Sequence, residues 1–165
     1  MDMKPAAPYP PAQMQAKNPA YAEMMLGNIG GINSEMTAAA HYRYNHQMTL
    51  DLDMRLAELF HQYSIVEMHH LDLFSRLARL LGADPRMWQS CGCKKQYWHA
   101  GYVDYGFCDL RDMLRKALQE ELGAIKKYTA QANCIADPYV QAVLLRIIED
   151  ERAHADTWEE LLKKM

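Results

Sequence analysis

The chain has 165 residues, 50% of them hydrophobic and 24% charged, with a formal net charge of −3 at pH 7. That length suits one domain with a real core, and the slight acidity excludes a polycation built to bind nucleic acid. No run of about 18 apolar residues occurs, nor a basic start followed by an apolar segment, so the expectation is a cytoplasmic chain that makes no use of a membrane.

Residues 1 to 17 are rich in Pro, Ala and Met. This composition predicts a flexible arm, suited to wrapping a neighbouring subunit, ahead of one folded unit over 18–165. Asn18-Pro19 is a helix cap followed by proline at the first helical position, and the helical pattern then continues to about Thr49. Gly27, Gly30 and Gly31 weaken this first helix, so it must kink there or let another backbone approach closely; close packing is the expectation. A second helix is predicted from about Asp53 to Leu81, where Leu56, Leu59, Phe60, Tyr63, Val66, Leu73, Leu77 and Leu80 recur at intervals of three and four and Gly82 and Pro85 end the run.

Residues 82–108 hold Gly, Pro, aromatics and cysteines without periodicity and read as a long crossover with no strand required. Asp109 caps a third helix running to about Ile135. Asp137-Pro138 opens a fourth that ends near Lys163-Lys164, where lysines suit the negative end of the helix dipole. The predicted fold class is therefore all-α, a four-helix bundle with one long crossover between helices 2 and 3.

The four cysteines, Cys91, Cys93, Cys108 and Cys134, do not form two CxxC pairs and read as reduced thiols. A lesser alternative is that Cys91 and Cys93 form a redox disulfide or join Cys108 or His99 around a metal.

The chemistry concentrates elsewhere. The second helix carries Glu67 and His70, the fourth Glu151 and His154, each pair on one helical face. One such pair would be unremarkable on a solvated helix. Here, however, Glu35 precedes Glu67 by 32 residues and Glu121 precedes Glu151 by 30, so the two halves of the chain repeat each other. Tyr42 follows Glu35 by seven residues and Tyr128 follows Glu121 by seven, two helical turns along the same face, which selects Glu121 over Glu120.

One glutamate from each of two helices and a Glu-x-x-His from each of the others is a di-metal carboxylate pattern. Without metal, four converging buried carboxylates would repel one another and take up protons. Four carboxylates and two imidazoles suit two iron or two manganese ions; calcium and magnesium prefer all-oxygen shells, and structural zinc prefers one ion with four ligands. The expected metal ligands are Glu35, Glu67, His70, Glu121, Glu151 and His154. Asp150 is a candidate acceptor for the outer ring N–H of a ligating histidine, and Tyr42 and Tyr128 are expected beside the site. His41, His46, His61, His69 and His99 have no counterpart in the other half and read as surface or supporting residues.

At Glu35, EMHH (67–70), Glu121 and DERAH (150–154), the sequence resembles the ferritin-like superfamily, especially its rubrerythrin and manganese-catalase branches, over roughly residues 18–163. The resemblance implies a ferritin-like bundle in which Glu67 with His70 and Glu151 with His154 bind one ion each, with Glu35 and Glu121 bridging or terminal. It implies a dinuclear non-haem oxidoreductase acting on hydrogen peroxide or dioxygen, without haem or nucleotide, and a homo-oligomer. Rubrerythrins add a rubredoxin-like domain and usually another glutamate where this chain has Leu118; with neither present, peroxidase activity would need an external electron donor such as rubredoxin. Manganese catalases need no donor but are longer. The alternatives are a ferroxidase or iron-handling ferritin-like protein, and a non-enzymatic metal-binding coat or scaffold protein.

Overall fold

The computed structural model describes residues 7–92 and 94–165, and Cys93 with its expected pairing lies outside them. Five helices, α1 (Pro19–Gly30), α2 (Glu35–Thr49), α3 (Met54–Leu81), α4 (Leu110–Cys134) and α5 (Pro138–Lys164), form the bundle. The sequence-predicted caps operate: Asn18, Asp109 and Asp137 each accept first-turn backbone N–H groups through their side chains, and Asp53 does the same for α3. Gly82 ends α3 at φ 107°, a left-handed position suited to glycine, and Ala83 N–H returns to Ala78 O at 2.9 Å.

The expected single first helix is in fact two. Chain direction breaks after Gly30, and Ser34 restarts it by capping α2. A Cβ at Gly30 would lie 2.3 Å from Trp88 N and 2.4 Å from Met87 C, so the close-approach expectation holds at this residue, together with a break. Lys127 pins the break from α4, donating to Gly27 O (3.2 Å) and Asn33 O (2.6 Å).

The backbone pressed against Gly30 belongs to the crossover, which corrects the expectation that no strand would form. Two short antiparallel strands, β1 (Trp88–Cys91) and β2 (Lys94–Tyr97), pair from Trp88↔Tyr97 to Cys91↔Lys94, and a single 3-10 turn follows at Ala100–Tyr102. Four-residue strands with mostly exposed side chains leave almost no periodic signal in sequence.

The bundle consists of two antiparallel hairpins, α1–α2 with α3 and α4 with α5. Their facing surfaces bury two apolar clusters. One gathers Met25, Leu26, Ile29, Phe74, Leu77, Val143, Leu144 and Ile147. The other gathers Tyr42, Phe60, Tyr63, Met113, Leu114, Ala117 and Trp158. Residues 7–17 run without helix, and Tyr9, Ala12 and Met14 pack against the first cluster; residues 1–6 lie outside the described residues. Cys91, Cys108 and Cys134 are free and exposed. Among the described residues no helix is long and apolar enough to cross a membrane.

Candidate metal centre

Between the two apolar clusters the packing turns polar. Glu67, Glu121 and Glu151 sit near the midpoints of α3, α4 and α5, while Glu35 is the first residue of α2 and so lies midway along the composite α1–α2. All four are buried, as are His70 and His154. The break after Gly30 thus places Glu35 in a helical first turn, where backbone N–H groups favour a carboxylate.

The six side chains form two overlapping groups: Glu35, Glu67, His70 and Glu151, and Glu67, Glu121, Glu151 and His154. His70 Nδ1 lies 3.2 Å from both Glu67 and Glu151 and 3.7 Å from Glu35. His154 Nδ1 lies 3.1 Å from Glu67, 3.3 Å from Glu121 and 3.5 Å from Glu151. Sequence spacing left the bridging carboxylates open. In the structure Glu67 and Glu151 belong to both groups and Glu35 and Glu121 to one each.

Each outer glutamate is held by the tyrosine of the opposite half. Tyr42 on α2 donates to Glu121 on α4, and Tyr128 on α4 donates to Glu35 on α2. Burial and the neighbouring carboxylates push both phenols well above their usual pKa, so they remain donors. Asp150 Oδ2 lies 3.1 Å from His70 Nε2, on the side of the ring away from the glutamates. His154 instead stacks on Tyr63 at 3.9 Å between ring centroids.

Burial raises the Glu35 carboxyl to about 8 and the Glu121 carboxyl well above its ordinary value. For Glu67 and Glu151 burial pushes the same way, but the paired histidines outweigh it and hold both below the usual range. Burial opposes charge on His70 and His154 as well, yet the surrounding carboxylates drive both well upward. With no metal bound, the shifts therefore favour charge on His70 and His154 and on the Glu67 and Glu151 carboxylates they face, and work against charge on Glu35 and Glu121.

This donor set fits a pair of divalent ions. At bond lengths of about 2.1 Å, neighbouring ligand atoms around one ion lie roughly 3.0–3.4 Å apart, close to the separations above. Moreover, Glu67 Oε1, both Glu151 carboxylate oxygens and His154 Nδ1 are buried without a hydrogen-bond partner among the described residues, which is costly unless a cation satisfies them.

A cavity of about 280 Å³ reaches the centre between α2 and α4. Ser34, Thr37, Gln119 and Glu120 line it beside Glu35, Glu67, Glu121 and Glu151, and Tyr102, Asp104 and Lys116 join them. Glu120 pairs with buried His41 at 2.7 Å. Sequence reasoning passed over Tyr9, Arg146, Lys127 and the His41–Glu120 pair, because their partners are 79 to 141 residues away, or, for Lys127, are backbone carbonyls. No spacing rule ties Tyr9, Lys127 or the His41–Glu120 pair to these partners, whereas Arg146 and Asp150 stand four residues apart on α5 and pair at 2.6 Å.

Fold and site together define a helical bundle able to hold a dinuclear metal centre with carboxylate and imidazole ligands. Residues 31–165 match the family model of the ferritin-like domain, and the chain belongs to the ferritin-like family. The structure is similar to that of KatB, a manganese catalase from Anabaena PCC7120, with a TM-score of 0.81 and 20% identity over 99% of this chain and 80% of that one. It is also similar to the Mycobacterium tuberculosis bacterioferritin BfrA, with a TM-score of 0.76 and 21% identity over 92% of this chain and 89% of the other. A bacterioferritin from Desulfovibrio desulfuricans gives 0.73 and 22% over 87% and 78% respectively. No curated protein sequence matches the chain.

Proposed function

We propose that the protein is a dinuclear manganese or iron oxidoreductase that consumes hydrogen peroxide. The observation that carries this reading is the junction of two features: six buried ligand groups in two overlapping sets, and a cavity ending on their carboxylates. The likeness of the fold to a manganese catalase supports the choice of substrate.

Glu35, Glu67 and His70 with Glu151 would hold one ion, and Glu121, Glu151 and His154 with Glu67 the other. A bound pair of redox-active ions supplies Lewis acidity and a two-electron change. In dismutation one peroxide gives up two electrons and two protons to become dioxygen, and a second takes them up and splits into two waters. Ser34, Thr37 and Gln119 offer hydrogen bonds along the cavity to a small neutral substrate. Glu120 lines the cavity, with His41 paired behind it at 2.7 Å, which places an acid–base group beside the path of the substrate. Tyr42 and Tyr128 keep the outer carboxylates oriented, and Asp150 fixes the His70 ring.

Oxidation of iron(II) is the second reading, favoured by the likeness to bacterioferritins. Metal content of protein from its native host, followed by oxygen release on adding peroxide, tests both. Two manganese ions per chain with oxygen release is the expected result. Two iron ions without oxygen release would move the assignment to a ferroxidase or to a peroxidase fed by an external donor such as rubredoxin, and absence of metal would overturn it.

A further inference from the structure

The two halves of the centre are not equivalent, and the difference traces to the N-terminal arm. The residue before Glu151 is Asp150, whereas the residue before Glu67 is Val66. Only His70 therefore has a carboxylate on its outer nitrogen; among the described residues nothing hydrogen-bonds Nε2 of His154.

Asp150 is itself held by the arm. The Tyr9 hydroxyl donates to Oδ2, the same oxygen that meets His70 Nε2, and lies 3.4 Å from that nitrogen. Oδ1 of Asp150 pairs with Arg146 at 2.6 Å. Arg146 is buried, its Nε–H donates to Ala7 O at 2.6 Å, and its guanidinium lies 4.2 Å over the Tyr9 ring. The ring also meets His69 edge-on at 4.4 Å. The arm is anchored again farther along, where Gln15 N–H donates to Asp137 at 2.6 Å. One oxygen of Asp150 is thus fixed directly by Tyr9 and the other through an arginine that the arm clamps.

We infer that Tyr9 is a positioning residue for His70, so that docking of the arm prepares the Glu35–Glu67–His70–Glu151 position while the position around His154 is independent of it. A carboxylate behind a ligating histidine orients the ring and raises its basicity, and loss of such support typically weakens metal binding by about 10–100-fold. The inference rests on the metal reading proposed above.

The test uses the full-length protein and Tyr9→Phe, which keeps the ring against His69 and Arg146 and removes only the hydroxyl. Metal-free samples are titrated with manganese(II), and free ion is followed by electron paramagnetic resonance. Wild type is expected to take up two ions. Tyr9→Phe should bind one ion at least about tenfold more weakly and the other as wild type does. Asp150→Asn should show the same split, and adding Tyr9→Phe to it should change little further, since both act on one ring. Equal weakening of both ions in Tyr9→Phe would mark a general structural effect and overturn the inference, as would unchanged affinities alongside two-ion binding by wild type. Failure of wild type to bind any ion would overturn the metal reading, and this inference with it.

Discussion

Glutamine at position 67 preserves the shape of Glu67 but removes its charge, and the structure makes that loss unusually consequential. Glu67 faces both buried histidines, His70 at 3.2 Å and His154 at 3.1 Å, and belongs to both ligand groups. In the metal-free protein, Glu67→Gln takes away the carboxylate that faces both buried histidines, and breaking a buried pair in this way costs about 3–5 kcal/mol. For a chain of this length, that corresponds to a fall in melting temperature of roughly 6–20 °C. Glu35→Gln is the control. Burial already keeps Glu35 protonated at neutral pH, so an amide replaces a neutral carboxyl and should cost less than about 1 kcal/mol. The sign with pH follows from the depressed Glu67 value: its contribution is complete above the ordinary 4.5 and fades as pH falls below it. Melts in the presence of chelator across acid to neutral pH measure both effects, and metal analysis should find Glu67→Gln deficient in both ions and Glu35→Gln chiefly in one. Equal melting temperatures for the two metal-free variants at neutral pH would refute the charge assignment.

Three further outcomes are expected. Gly30→Ala should destabilise the fold by about 1–3 kcal/mol or more, since the new methyl meets backbone of β1 and its lead-in, whereas Gly27→Ala, with open space around its Cβ, should raise stability by up to about 1 kcal/mol; thermal melts that rank the two alike would contradict the close-approach account. Lys127→Met should cost about 1–3 kcal/mol by removing the charged donor to Asn33 O and the second donor to Gly27 O, which keeps the Gly31 N–H. Burial lowers the Lys127 ammonium to about 8 from 10.5, so the stability of wild type relative to this variant should rise between those pH values, as denaturant titrations would reveal. Loading two ions near neutral pH should release protons, because burial raises the Glu35 and Glu121 carboxyls and the surrounding carboxylates raise His70 and His154; calorimetry in buffers of different ionisation enthalpy measures the release, and its absence would refute these directions.

The sequence by itself determined where most of the helices start and stop and which glutamates and histidines recur in both halves, because both rest on local rules. Caps at Asn18, Asp109 and Asp137 satisfy first-turn N–H groups within three residues, and the Glu-x-x-His spacing shares a face through helical geometry alone. The internal repeat of Glu35–Tyr42 and Glu121–Tyr128 was also legible, since each half keeps its own seven-residue step. Which groups those residues meet was not: Tyr42 bonds Glu121 and Tyr128 bonds Glu35, an exchange between halves that only the packing of two hairpins creates. The break after Gly30 likewise depends on a β-hairpin more than 50 residues downstream pressing against the glycine. Tyr9 reads in sequence as part of a proline-rich arm; tertiary structure carries it across α3 and α5 to Asp150, because contacts 61 and 141 residues apart obey no periodicity and exist only once the bundle has closed.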